Sequence, residues 1–285
     1  MDEAFIRHFA RHFVSIWCLR QRLDARGKPH GQPESFHISA FVLSVRDEWL
    51  LITAGHIIRK IDEDLQKKRR RIVQSYLIDD WGPKADHRDA IPFEFESVPR
   101  GRFGDEHDFD YGFFYLNSNH RALLQQNGIQ PVAENAWRNP PPDPDRHYIL
   151  GIPDEFVRNE CLSTLEGPVV SSRPAITFHQ VDRVAERPPG MPEKAAPRVY
   201  GHIALPPSGD KGEPPPSSII GMSGGPIFGL KELAPGRVAY WVVGVQSSWH
   251  KLSKTIAWCP LEPLARHIDD QFGRIEKQVI DPDDR

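Results

Sequence analysis

Cysteine is scarce in this sequence, and its placement limits what the fold can use. The 285 residues include three cysteines, at positions 18, 161 and 259. Such an odd and widely scattered set excludes a dense disulfide framework, and no pair has the short spacing of a zinc site. None of the three lies in a turn of small residues. We therefore expect free, buried thiols rather than a catalytic cysteine.

Long apolar runs are also missing. No stretch approaches the roughly 18 apolar residues that a membrane span requires. Charged residues, among them Asp2, Glu3 and Arg7, stand near the start, where a signal peptide would have an apolar core. We expect a cytoplasmic protein with no membrane partner.

An excess of charge of one sign is absent as well. The chain has 36 Lys plus Arg against 39 Asp plus Glu, a net charge of -3, which creates no overall field to attract nucleic acid. The one basic run, Lys67 to Arg71, lacks interleaved aromatic residues and is typical of a solvated loop. We do not expect nucleic acid as a partner, and any partner must be inferred from a site.

What the sequence does contain is a series of short β-type segments separated by turns rich in Gly, Pro and Asp. This pattern favours an all-β sandwich or barrel over alternating β and α units. The predicted strands are 14–19, 36–45, 49–53, 72–78, 91–98, 111–116, 148–151, 163–165, 175–181, 199–205, 226–229 and 238–246. Apolar residues at helical spacing predict short helices at the two ends, over 4–13 and 257–272, and the second is expected to start near Pro260 or Pro263.

Two proline-rich stretches interrupt this pattern. The first, Asn139 to Asp145, suits a linker because polyproline segments are stiff and cannot join a strand ladder. It predicts two units, residues 1–140 and 141–285. The second, Glu186 to Ser217, predicts a long surface loop that could contact substrate or undergo regulated cleavage.

The strongest local signal is the turn Gly221-Met-Ser-Gly-Gly-Pro226. Its small residues leave the Ser223 hydroxyl uncrowded and let backbone N–H groups converge on one point. A serine is a poor nucleophile alone, so it needs a histidine base and a carboxylate that orients the imidazole. A turn of this kind alone can also be purely structural.

Candidates for the histidine and the carboxylate stand at the ends of predicted strands. Thr53-Ala-Gly-His56 places a histidine at a strand end after two small residues, and Asp110 begins the run Asp-Tyr-Gly-Phe-Phe-Tyr-Leu116. Asp108 is an alternative for the carboxylate, since it lies in the same acidic segment. That segment, with His107, could also suggest a metal site, but a solvated acidic loop is the simpler interpretation.

In these three motifs and their order, the sequence resembles the trypsin-like (chymotrypsin-fold) serine peptidases, in particular their disulfide-poor bacterial branch. The resemblance implies two packed six-stranded Greek-key β-barrels and no cofactor. It also implies a catalytic triad of Ser223 as nucleophile, His56 as base and Asp110 as orienting acid. The N–H groups of Gly221 and Ser223 would form the oxyanion hole.

The resemblance extends to substrate-binding positions. Val243 to Ser247 looks like the strand that follows the nucleophile, so the backbone of Ser247, Ser248 and Trp249 would pair with an extended substrate. Ser217, six residues before the nucleophile, stands where primary specificity is often set in the family.

Two departures from the family pattern have consequences. Met222 stands where members that are activated by cleavage have an aspartate for the new N-terminus, so we expect no activation by N-terminal processing. Ile57 replaces a cysteine of secreted relatives, consistent with a cytoplasmic protein.

The sequence thus predicts a serine endopeptidase with a narrow substrate range or regulated activity, with a protein or peptide as substrate and a regulatory protein as a further partner. Two alternatives remain. One is a catalytically latent pseudoprotease or peptide-binding module of the same fold. The other is a serine hydrolase acting on esters.

Overall fold

The computed structural model describes residues 3–79, 81, 90–103, 109–141, 143–164, 167–203 and 218–280. Side chains are described over the same ranges, apart from 158–173 and 271–280. The candidates Asp108 and Ser217, the segment 204–217 of the second proline-rich stretch and the Cys161 side chain therefore lie outside the described part.

The first half of the chain forms a seven-stranded antiparallel sheet in the order β5-β4-β1-β2-β3-β7-β6. Its strands β1 to β7 are Phe13–Leu23, Pro29–Val45, Glu48–Thr53, Arg70–Ile78, Ile91–Pro92, Arg100–Phe103 and Tyr111–Leu116. Strand β5 is much shorter than the predicted 91–98, because residues 93–98 leave the ladder after Pro92.

The second half forms a closed barrel of six strands in the order β11-β12-β15-β14-β13-β8, with β9 and β10 as a separate two-stranded hairpin. Strands β8 to β15 are Arg146–Gly151, Val157–Thr164, Gly167–Pro174, Thr177–Val184, Val199–Ile203, Pro226–Ala234, Arg237–His250 and Thr255–Pro260. The predicted all-β class is confirmed, and a two-barrel arrangement is consistent with the seven-stranded sheet.

Four α-helices are described: α1, Glu3–Ala10; α2, Gly55–Gln66; α3, Ser118–Gln126; and α4, Leu261–Ile280. The terminal helices agree with the prediction, and the last one begins at Leu261, directly after Pro260, which is one of its two predicted start points. Residues 255–260 pair with β12 and β14 as strand β15, and the helix begins only after that ladder ends. No helix within the described residues combines the length and the apolar character that a membrane crossing requires.

A single apolar cluster joins the two halves. Phe41 and Tyr111 of the sheet, Tyr148 and Phe228 of the barrel, and Leu264 of α4 all belong to it, each no more than 6% exposed. Packed interiors resist rearrangement, so this shared core fixes the cleft between the sheet and the barrel.

Helix α1 packs on the second half although it begins the chain. Its Phe9 ring lies 5.2 Å from Phe178, 4.8 Å from Phe228 and 5.1 Å from Tyr240, measured between ring centroids. The predicted division at residues 140 and 141 remains a prediction, with the first helix reaching across it.

Candidate active site

His56 lies at the start of α2, directly after β3. The connection from Thr53 to His56 needs small residues, because a Cβ on Gly55 would stand 2.8 Å from the Tyr111 carbonyl oxygen. Gly112 opposite is equally tight: its Cβ would lie 2.7 Å from the Ile58 side chain. These two glycines let the first turn of α2 approach the start of β7, where Asp110 is located.

Asp110 holds His56 at two points. Its Oδ1 accepts a hydrogen bond of 2.6 Å from the His56 backbone N–H, and its Oδ2 lies 2.7 Å from His56 Nδ1. A carboxylate accepts, so Nδ1 carries the proton in this arrangement and Nε2 is left with its lone pair. The ring is therefore oriented with its basic nitrogen away from Asp110.

The environment keeps Asp110 ionised. Burial alone would raise the pKa of this carboxyl group, but the hydrogen bonds and charge of His56, with a smaller contribution from Arg198, hold the pKa below its usual value. A permanently charged carboxylate beside Nδ1 stabilises the imidazolium that forms when Nε2 takes a proton.

Ser223 lies in a turn that abuts the segment leading to His56. A Cβ on the next residue, Gly224, would stand 2.1 Å from Thr53 Oγ1 and 2.9 Å from the Ala54 nitrogen. Gly224 has a φ of +92°, which favours glycine in any case. The turn thus brings Ser223 beside the end of β3. Its hydroxyl makes no hydrogen bond with the described residues, His56 included; in proteins without substrate, catalytic hydrogen bonds are often long and tighten only when substrate binds.

Hydrogen bonding within the turn leaves two N–H groups unused. The N–H of Met222 donates to Ile219, that of Gly224 to Gln246, and that of Gly225 to Met222. In contrast, the N–H groups of Gly221 and Ser223 have no acceptor among the described residues. Backbone N–H groups are normally paired. The unpaired N–H groups of Gly221 and Ser223 are therefore available to stabilise an oxyanion.

The Gly221 N–H has a fixed direction. The Asp154 N–H, at the start of the short 3-10 helix Asp154–Phe156, donates a 2.7 Å hydrogen bond to the Ile220 carbonyl. No peptide bond in the described ranges is cis, so in the trans peptide between Ile220 and Gly221 the N–H points opposite to that carbonyl. Ser39 holds the following peptide, because its hydroxyl donates to the Gly221 carbonyl at 3.0 Å.

Met222 is fully buried in the core of the closed barrel. Its sulfur accepts a weak hydrogen bond of 3.5 Å from the Thr177 hydroxyl, and its Cβ packs against Gly151. A buried thioether cannot pair with an ammonium group, so apolar packing holds the turn at this position.

A pocket of about 230 Å³ adjoins His56 and Asp110. Of the predicted substrate-binding residues, Ser247 and Ser248 line it, whereas Trp249 packs against the barrel core that contains Met222. The pairing of β13 with β14 ends at Val245, and Gln246 still bonds to Gly224 and Gly225, so the unpaired edge of β14 begins at Ser247. Such an open edge can accept an added peptide strand.

Several other residues that line this pocket were not singled out from the sequence. They are Arg59, one helical turn after His56, and four residues of the second proline-rich stretch, which was expected only as a whole to contact substrate: Met191, Pro192, Lys194 and Arg198. Arg59 lies three residues after His56 along α2, but no local signal in the sequence indicated this helix.

The described cysteine side chains are unsuited to catalysis. Cys18 and Cys259 are free and fully buried. Burial raises the pKa of Cys259 to about 11, and it raises that of Cys18 further. Neither thiol carries the charge that a nucleophile needs at neutral pH. In the described part of the chain, no group of three or more His, Cys, Asp or Glu residues could hold a metal ion.

Comparison with known proteins gives distant matches. No protein-family model matches the sequence, and the search of curated proteins finds no significant relative. Among solved structures, a thermostable serine protease, AL20, from an extremophilic microorganism is 12% identical over 91% of this chain and 95% of that one, with a TM-score of 0.46. The protease Anisep from Arthrobacter nicotinovorans is 12% identical over 88% and 90%, with a TM-score of 0.43.

A third similar structure is a catalytically inactive tobacco etch virus protease complexed with substrate. It is 11% identical over 86% of this chain and 77% of that one, with a TM-score of 0.35. All three structures are proteases by description. Because their TM-scores lie below 0.5, they carry no inference about the activity of this chain.

Proposed function

We propose that this protein is a serine endopeptidase of the trypsin-like class. The observation that carries the proposal is the meeting of three distant segments. Asp110 binds both the backbone and the ring of His56, and the turn around Ser223 packs against the residues that lead into His56. A base with a fixed tautomer beside an uncrowded serine is the arrangement that nucleophilic acyl transfer needs.

In the proposed reaction, Ser223 Oγ attacks the scissile carbonyl carbon while His56 Nε2 takes the hydroxyl proton. The N–H groups of Gly221 and Ser223 stabilise the oxyanion of the tetrahedral intermediate. His56 then donates its proton to the leaving amine, and the acyl group stays on Ser223. A water molecule that His56 deprotonates attacks the ester, and the proton returns to Ser223 as the acid product leaves.

Asp110 acts in this proposal as the positioning acid. It keeps the proton on Nδ1 and stabilises the imidazolium without becoming protonated itself. The hydrogen bond from Asp154 to Ile220 takes the place of an ion pair with a cut N-terminus, since buried Met222 offers no charge for one. We infer that the oxyanion hole forms without N-terminal processing.

Covalent labelling with a fluorophosphonate probe tests the proposal. Ser223 Oγ should attack phosphorus and displace fluoride, giving one stable phosphonyl adduct per chain that peptide mapping locates at Ser223. Labelling should be lost in Ser223→Ala. In Asp110→Asn the labelling rate should fall by up to about four orders of magnitude, because the wrong tautomer of His56 is then favoured.

Intact mass spectrometry of the unprocessed chain provides the readout, with circular dichroism to show that each variant is folded. Stoichiometric labelling in the wild type and none in Ser223→Ala would support the proposal. A folded wild-type protein that never labels would contradict it and would favour the latent pseudoprotease or peptide-binding module.

A further inference from the structure

The pocket beside His56 and Asp110 is lined by three cationic side chains. Arg59 comes from α2, and Lys194 and Arg198 come from the segment that precedes β12. Among the described lining residues, the one carboxylate is Asp110, which is already bonded to His56. The chemistry of this wall is therefore that of an anion-binding surface.

Arg59 is a solvent-accessible cation of this wall. It lies on α2 three residues after His56, which places both side chains on the same face of the helix. It is exposed, and no hydrogen bond or ion pair joins it to the described residues. A guanidinium group in this position has all its donors available for a planar carboxylate.

The pocket also lies along the path of an extended substrate. Ser247 and Ser248 form its wall on the β14 side, where the ladder with β13 has ended and the strand edge is open. A peptide added to that edge would have its side chains alternate between the barrel and the pocket. One of the side chains close to the scissile bond would then face Arg59.

We propose that this pocket binds an acidic side chain of the peptide substrate, a few residues from the scissile bond, and that Arg59 is a specificity-determining residue. The inference rests on the proposed protease function and adds a substrate class to it. Peptides with aspartate or glutamate at that position would be cleaved preferentially over their amide counterparts.

The test begins with a mixed peptide library, in which cleavage products identify the preferred positions. Two internally quenched peptides that differ only by glutamate or glutamine at the preferred position are then compared. We expect kcat/KM to favour glutamate by about three- to tenfold at low salt, the range of one or two partly exposed ion pairs. The ratio should fall as sodium chloride is added.

Variants of Arg59 test whether the preference for glutamate depends on this side of the pocket. Arg59→Gln should reduce the ratio toward one, Arg59→Glu should favour glutamine, and Arg59→Lys should retain part of the preference. Lys60→Gln is the matched control, because Lys60 is an exposed cation on the same helix that does not line the pocket. It should leave the ratio unchanged.

Equal cleavage of the two peptides, or equal effects of Arg59→Gln and Lys60→Gln, would overturn the inference while leaving the protease proposal intact. If the chain labels with fluorophosphonate but cleaves no library peptide, protection of Ser223 from the probe by acidic and neutral peptides replaces turnover. Equal protection would likewise overturn it. A chain that neither labels nor cleaves would overturn both proposals together.

Discussion

Two buried glutamines differ in the hydrogen bonding of their side-chain amides. Gln21 donates through Nε2 to the carbonyls of His30 and Gly31 at 2.9 and 3.1 Å. Gln246 is fully buried, and neither its amide nitrogen nor its amide oxygen has a partner in the part of the chain that the structure describes. Its backbone, in contrast, bonds to both Gly224 and Gly225 in the serine turn. Main-chain hydrogen bonds thus fix the position of Gln246 and leave its side-chain amide unpaired.

Gln246→Met should therefore stabilise the protein. Methionine has a similar length and leaves no buried polar atom unpaired, so we expect the free energy of unfolding to rise by about 1–3 kcal/mol. Thermal and denaturant unfolding would measure it. Gln21→Met is the control with the opposite expected sign, because it removes existing hydrogen bonds. A lower stability of Gln246→Met would show that the amide is satisfied by bound water.

At the scale of elements, contact between the serine turn and the end of β3 depends on the absence of one side chain. Gly224 and Gly236 both have positive φ angles, +92° and +74°. A Cβ on Gly224 would collide with Thr53 and Ser39, whereas one on Gly236 would meet no atom within 4 Å. Alanine at Gly236 would therefore test only the effect of the backbone conformation on stability, whereas alanine at Gly224 would add the effect of the steric collision.

Gly224→Ala should abolish fluorophosphonate labelling of Ser223, because the turn must move away from β3 to make room for the methyl group. Gly236→Ala should keep the wild-type labelling rate and lose only about 1–2 kcal/mol of stability, the cost of a left-handed conformation with a Cβ. Labelling rates and unfolding curves of the two variants provide the comparison. Retained labelling in Gly224→Ala would mean that the turn tolerates displacement.

The strands were more predictable than the helices, for local reasons. The β2–β3 hairpin could be predicted because two apolar runs flank Arg46 and Asp47, which adopt the positive φ angles of a tight hairpin turn. Helix α2 could not, since Ala54 at its N-cap makes no side-chain capping bond. Residues 257–260 have apolar spacing that suits a helix, but pairing with two neighbouring strands decides their conformation.

Some residues of the candidate site could likewise be predicted from local sequence, and others could not. His56, Asp110 and Ser223 stand in short motifs, each of which could be read locally. Arg59, Lys194 and Arg198 lie in unremarkable sequence and become neighbours only when α2 meets the segment before β12. The hydrogen bond from Asp154 to Ile220 likewise joins residues that are 66 positions apart in the chain, and no pattern in the sequence indicates it.

At the scale of the whole molecule, buried histidines link stability to pH. Burial lowers the pKa of His12 to about 3 and those of His37 and His179 to about 4, from an ordinary value of 6.5. His12 bridges the two halves, because its ring bonds to the Gln130 carbonyl and to the Tyr240 hydroxyl, each at 2.7 Å. The nearby Arg11 further disfavours its protonation.

We therefore expect stability to be lost as pH falls from about 6.5 toward 4. In this window the histidines are protonated in the unfolded chain but not in the folded chain. Each of them therefore lowers the free energy of unfolding by up to about 1.4 kcal/mol per pH unit. Denaturant unfolding at several pH values would measure the slope. His12→Gln should flatten it, whereas Gln in place of exposed His30 should not. An unchanged slope in His12→Gln would contradict the assignment.

The docking of α1 on the second half has a consequence for biosynthesis. Phe9 leaves the ribosome long before its partners Phe228 and Tyr240, which are made more than 200 residues later. At about 5–20 residues per second, that interval is on the order of ten to fifty seconds. During it the apolar face of the first helix has no native surface to cover it. Nascent chains of this protein should therefore engage a chaperone through the helix Glu3–Ala10 and release it only after Tyr240 has been made.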